Sequence, residues 1–208
     1  MKKFLCFSLW AFLAATLCGC SGMLTSDEPP EHVYWLEAVT LQFGEALTED
    51  PPELLIVVHT IPGLDTDRIL VKEPGARMNY YAGGRWPDHL PEVLTATVRL
   101  SLESSGRFSR VSSRSQKRGD EWLLELELRE FFAEAARVNS PPQVRIQFVG
   151  HLSCGSDATA ISAMATVLAQ ENKLSEIVAA FQSATDKALI SLGGQLESRC
   201  FLKNAQVP

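Results

Sequence analysis

Around Trp122–Phe132, apolar Trp122, Leu124, Leu126 and Leu128 alternate with charged Glu125, Glu127 and Arg129. Successive side chains of a strand point to opposite faces, so this period of two requires a strand with one face in a core and the other in water. The fold is therefore built on a sheet, and the other segments must supply neighbours for this strand. Val144, Ile146 and Phe148 repeat the pattern after Pro141-Pro142, and 158–169 reads as the next strand. Leu54–Ile61 is a β-branched run suited to a strand buried on both faces, and His32–Val39 reads as a strand through Val33, Tyr34, Trp35 and Leu36. Short strands are expected at 69–71 and 78–82. Phe108–Ser112 and Trp122–Phe132 read as an antiparallel hairpin joined by a Ser-rich basic loop.

Two segments have helical spacing instead. Leu94, Val98 and Leu102 recur four apart between Pro91, tolerated in a first turn, and Gly106, which sets a helix near 89–105. Ile177, Phe181, Leu189 and Leu192 mark a second long helix over Leu174–Leu196. Strand, strand, helix, four strands, helix is not the order of a doubly wound enzyme. It predicts an α/β fold of the α+β kind, with a mixed, largely antiparallel sheet packed by two long helices. A chain of 208 residues with 46% hydrophobic content has enough apolar material for one core. Its net charge of -6 excludes a general attraction for nucleic acid, and no nucleic-acid partner is expected.

The N-terminus carries an address. Lys2 and Lys3 precede an apolar run from Phe4 to Leu17, too short to cross a hydrocarbon core of about 30 Å. Leu17-Cys18-Gly19-Cys20 follows and resembles the lipobox of bacterial lipoproteins, with Cys18 a less usual residue at its place. The resemblance implies that residues 1–19 are a signal peptide and that Cys20 becomes an acylated N-terminus. Acyl chains contribute about 0.8 kcal/mol per buried methylene, enough to hold the chain on a membrane without a spanning segment. Ser21 after the lipidated cysteine, where Asp would retain the protein at the inner membrane, points to the periplasmic face of the outer membrane. A soluble periplasmic product of ordinary signal cleavage is the alternative. Residues 20–31, polar and containing Pro29-Pro30, then form an extended tether, and 32–208 forms the folded domain. Cys154 and Cys200 remain as an even pair in an oxidising compartment. A disulfide tying a strand end to the last helix would add about 3 to 4 kcal/mol, two unconnected thiols being the alternative that spacing leaves open.

Leu64-Asp65, Arg68-Ile69, Met78-Asn79-Tyr80-Tyr81, Arg85-Trp86, Leu90-Pro91, Leu94 and Gly106-Arg107-Phe108 together resemble the ABC-type transport auxiliary lipoproteins. That group includes the outer-membrane lipoprotein of paraquat-inducible MCE systems. The resemblance implies a sheet flanked by helices, related to the N-terminal domain of TolB. It also implies a non-enzymatic partner of an MCE-domain protein in an envelope transporter for lipids or other hydrophobic compounds.

The chain's own residues neither bind nucleotide nor hold a metal by any recognisable motif. It has no G-x-x-x-x-G-K-[ST] or G-x-G-x-x-G loop, no G-x-S-x-G elbow, and its four His are scattered. No catalytic residue, metal or cofactor is expected. Tyr80, Tyr81, Arg85 and Trp86 beside Gly83-Gly84 form a candidate surface for a partner or for self-association, since amphipathic rings anchor contacts. In the competing reading Tyr81 and Trp86 fill the space between the sheet and the first helix. Arg114, Lys117 and Arg118 are candidates for an anionic group, a lipid phosphate or an acidic partner, or else a solvated hairpin tip. A lipid carrier with an apolar cleft, an envelope-assembly factor and an envelope hydrolase are the other functional classes left open.

Overall fold

The computed structural model describes residues 31–44, 50–113, 121–137, 140–155 and 157–201. The expected signal peptide, Cys20, nearly all of the expected tether, and Arg114, Lys117 and Arg118 lie outside them. In chain order the elements are β1 (His32–Val33), β2 (Glu53–Thr60), β3 (Arg68–Glu73), β4 (Arg77–Arg85), α1 (Leu90–Ser104), β5 (Arg110–Ser112), β6 (Trp122–Glu134), β7 (Gln143–Cys154), β8 (Asp157–Leu168) and α2 (Leu174–Leu196).

One eight-stranded sheet is organised around β6. Along one side β6 pairs antiparallel with β7, from Leu123 opposite Ser153 to Glu134 opposite Gln143. Its other side is shared. β2 lies parallel to its first half, from Leu54 opposite Trp122 to Thr60 opposite Leu128, and β3 lies parallel to its end, at Val71 opposite Ala133 and Lys72 opposite Glu134. A short 3-10 turn, Pro62–Leu64, lies between β2 and β3. Beyond β2 lies β5, beyond β3 lie β4 and then β1, and beyond β7 lies β8. The fold is thus mixed α+β with a mostly antiparallel, partly parallel sheet.

Both helices cover one face. Leu124, Leu126 and Leu128 of β6, Val144, Ile146 and Phe148 of β7, and Ile161 and Ala163 of β8 are buried in one cluster with Leu94 and Val98 of α1 and Phe181 and Leu189 of α2. A bulge at Arg129 shifts the alternation by one residue, so that Phe131 and Ala133 also point inward, opposite Ile146 and Val144. The buried hydroxyls of Thr97, Ser101 and Thr185 each donate to the carbonyl four residues back, so they cost no unsatisfied donor.

Two expected elements differ. The strand expected over His32–Val39 stops at Val33. Tyr34 N–H still donates to Arg85 O at 2.9 Å, and residues 35–44 then leave the sheet and run across both helices, where side chains replace a strand ladder. The Gln182 amide bonds the backbone N–H and C=O of Glu37 at 2.8 and 3.0 Å, and Ser101 Oγ accepts from Val39 N at 3.0 Å. Leu36 and Leu41 are buried beneath this segment. Second, β5 and β6 do not form a hairpin: β2 lies between them, parallel to both. β2 takes the place beside β6 that a hairpin would have given to β5.

Cys154 at the end of β7 is bonded to Cys200, in the turn Glu197–Phe201 that follows α2. The bond closes a separation of 46 residues. Replacing both cysteines by Ser should lower the free energy of urea unfolding by about 4 kcal/mol on the loop-entropy account; an unchanged urea midpoint would contradict it.

Candidate functional site

The sequence features quoted for partner binding converge on β4. Opposite β3, Arg68 faces Arg85 while Leu70 already faces Tyr80, so β4 carries extra residues in a bulge at 81–84. Glycines make this bulge feasible. Gly83 has φ of 80°, a left-handed value unfavourable for a residue with a Cβ, and a Cβ on Gly84 would stand 2.6 Å from Leu174 Cδ2 and 2.8 Å from the Tyr34 ring. The bulge separates the fates of the residues around it.

Trp86, just past it, is fully buried. Its backbone N–H donates to Asp67 O at 2.8 Å, and its ring meets Phe131 and Phe181 edge-on at 5.8 and 5.5 Å. Trp86 therefore belongs to the core and cannot be a contact anchor, which corrects the expectation for this residue. Tyr81 is half-buried, and burial pushes its phenol pKa up. Tyr80 is 54% exposed, with Met78 exposed nearby on the same strand. The Arg68 guanidinium carbon lies 5.3 Å from the Tyr80 ring centroid, a cation–π contact that holds the ring in place.

Charges frame this ring. Glu31, the first described residue, pairs with Arg68, and its other oxygen lies 3.7 Å from Arg85 Nε. Asp67 lies 3.7 Å from both arginines, and Arg85 Nη1 also donates to Trp86 O at 3.1 Å. The hydrogen bond and charge of Glu31 make Arg68 hold its proton more firmly still. The structure thus brings Tyr80 and Arg85 to one surface with Arg68, Asp67 and Glu31, three residues the sequence reading did not assign to it. Arg68 was legible as a conspicuous cation in the quoted motif; Glu31 and Asp67 gave no signal, because their role depends on the strand order.

Two cations ahead of Arg114 have partners inside the fold. Arg107 is buried with its guanidinium carbon 4.5 Å from the Phe201 ring centroid. Arg110 pairs with Glu53 at 2.6 Å and approaches the buried Glu121 at 3.7 Å. These two arginines are engaged within the fold.

On the face of the sheet away from the helices, a hollow of about 710 Å³ is lined by His59, Glu125, Glu127, Arg129, His151 and Ser162, with Val149, Gly150 and Ala160 among its apolar neighbours. Among the described residues no group of His, Cys, Asp and Glu could hold a metal ion, and no helix is long and apolar enough to cross a membrane.

Two measurements test this geometry. Trp86→Ala should cost about 3 to 5 kcal/mol of stability by leaving a cavity in the core, whereas Tyr80→Ala should stay within about 0.5 kcal/mol of the parent; similar losses would contradict the division between core and surface. At the start of α1, His89 Nδ1 lies 2.8 Å from Asp65 Oδ1, and that hydrogen bond raises the His89 pKa above its ordinary 6.5. A pKa raised by folding means stability that is fully present below pH 6.5 and lost as pH rises through the folded value. NMR titration should show that value falling back in Asp65→Asn.

No family model and no curated protein matches the chain. Its architecture recurs among solved structures. Protein XCC0632 from Xanthomonas campestris, of family model DUF330, superposes with a TM-score of 0.69 at 20% identity, covering 84% of this chain and 99% of the other. A second, of an uncharacterised protein, gives a TM-score of 0.61 at 14% identity, covering 76% and 99%. At such identities the likeness is one of fold.

Proposed function

We propose that the chain is a lipoprotein anchored by acyl groups on Cys20 to the periplasmic face of the outer membrane. There it acts as a non-enzymatic accessory of an MCE-type ABC transport system for lipids or other hydrophobic compounds. Its work is positional: the anchor fixes where the domain is, and the domain presents a docking face to the MCE protein.

The observation that carries this reading is the position of Glu31. The last residue of the tether is clamped by Arg68 and Arg85, beside the exposed ring of Tyr80. The docking surface therefore begins where the tether ends. Residues 20–31, fully extended, reach about 40 Å, which bounds the distance between lipid and docking face. The Cys154–Cys200 bond supports the same reading, because structural disulfides persist in oxidising compartments such as the periplasm. Docking is favoured over the carrier reading because large rings fill the seam between sheet and helices: Trp86, Phe131, Phe148 and Phe181 are each under 2% exposed.

Affinity capture of the full chain from detergent-solubilised membranes tests the proposal, with mass spectrometry of the captured proteins and lipids. MCE and ABC components should accompany the parent, and Tyr80→Ala with Arg85→Ala should reduce that capture at least tenfold while the fold is retained. Palmitate should label the parent and not Cys20→Ser. Equal capture by parent and double variant would remove the docking face, and absence of label would remove the anchor.

A further inference from the structure

β8 is the outermost strand on its side of the sheet, with β7 as its sole strand partner among the described residues. Long edge strands are usually guarded by charge, proline or a bulge, since their unpaired backbone groups attract other strands. Residues 158–168 contain no charge, Pro or Gly, and their register against β7 runs without a bulge.

One position is guarded by other means. From α2, Gln195 Nε2 donates to Ser162 O at 2.8 Å and its Oε1 accepts from Ser162 N at 3.3 Å. The side-chain amide occupies the place a neighbouring strand's peptide group would take. It also reveals the polarity of the edge. Both backbone groups of Ser162 face away from β7, so by the alternation of an antiparallel ladder those of Met164, Thr166 and Leu168 do too. Their side chains stand on the face away from the helices, where Met164 is 65% and Leu168 64% exposed.

We propose that residues 164–168 form a self-association site, pairing antiparallel with the same residues of a second copy about a two-fold axis at Thr166. In this register Met164 faces Leu168 of the second copy at both ends, and Thr166 faces Thr166 at the centre. Two observations favour a second copy in this register. The first is charge: a two-fold contact sets each surface against itself, and in a chain of net charge -6 this edge opposes only neutral side chains to its own copy. The second is the position of Gln195. Shifting the pairs two residues towards the N-terminus of β8 would bring the second copy's Leu168 against Ser162, whose backbone groups are taken. The proposed register is the longest that leaves this plug in place. So short a contact falls below the roughly 1,200 Å² of a standard interface, so the dimer is reversible and concentration-dependent. It does not depend on the transport reading.

Cross-linking of the full chain in detergent tests it. Opposed Cα atoms in a hydrogen-bonded antiparallel pair lie about 5.5 Å apart, within disulfide range. Thr166→Cys should therefore form a covalent dimer under mild oxidation at least tenfold faster than Leu100→Cys, a control on the exposed side of α1; the native cysteines are common to both. Adding Met164→Glu or Leu168→Glu should bring the rate down to that of the control. Independently of any new cysteine, sedimentation equilibrium should show a monomer–dimer equilibrium for the parent, displaced to monomer in Met164→Glu. Equal rates for Thr166→Cys and Leu100→Cys, a Thr166→Cys rate insensitive to the glutamates, or a parent monomeric at all concentrations would overturn the proposal.

Discussion

The fold depends on both edges of β6 being used along its length. β7 takes one edge, and β2 and β3 divide the other, one after the other. Without β6 the sheet would fall into three separate pieces, β5 with β2, β3 with β4 and β1, and β7 with β8. Its register is correspondingly strict. A slip by one residue would turn Leu124, Leu126 and Leu128 to water and Glu125 and Glu127 to the core. Each buried leucine is worth about 2 kcal/mol, so the alternation specifies one pairing strongly. The bulge at Arg129 keeps the far end of β6 in phase, returning Phe131 to the core where it stacks on Phe181 at 4.9 Å.

This dependence explains which parts of the fold were legible in the sequence. β6, β7 and α2 were readable because their periodicity answers to a single large core; the helix expected over Leu174–Leu196 occupies those residues. Residues 34–39 were misread for an instructive reason. Tyr34 is half-buried and Leu36 buried while Trp35 between them is exposed, a pattern a strand would also produce, but here the partners of the extended backbone are side chains of two helices. Burial pattern reports a surface to lie on and does not say whether that surface is a sheet. The β5–β6 hairpin was misread because nearness in sequence was taken for pairing, whereas β2 competes for both strands.

The candidate site shows the same limit. Glycines, tyrosines and a tryptophan in one short stretch signal a special place, and the bulge is there. Which ring faces water is decided by three extra residues in β4, and composition carries no trace of that decision. Trp86 enters the core because Asp67 O holds its backbone N–H; Tyr80 remains outside because it still belongs to the regular ladder opposite Leu70. The glutamines were silent as well. Gln182 and Gln195 look like ordinary polar positions on α2, and their significance lies in imitating a peptide group against an extended backbone.

α2 is consequently more than a cover for the sheet. Gln182 fastens it to Glu37, Gln195 to Ser162, Glu197 to Gly44 N, and Cys200 to Cys154. A single hydrogen bond contributes about 1 kcal/mol net, too little to fix the end of a helix against fraying. The disulfide and the packing of Phe201 against Trp122 at 4.9 Å, Phe108 at 5.8 Å and Phe43 at 6.0 Å supply the rest. Gln195 stands five residues before Cys200, within a little more than one helical turn of the cross-link. The covalent bond between α2 and the end of β7 therefore also sets the amide that occupies the edge of β8. The Cys154–Cys200 loop closure thus lies close along the chain to the contact that covers part of that edge.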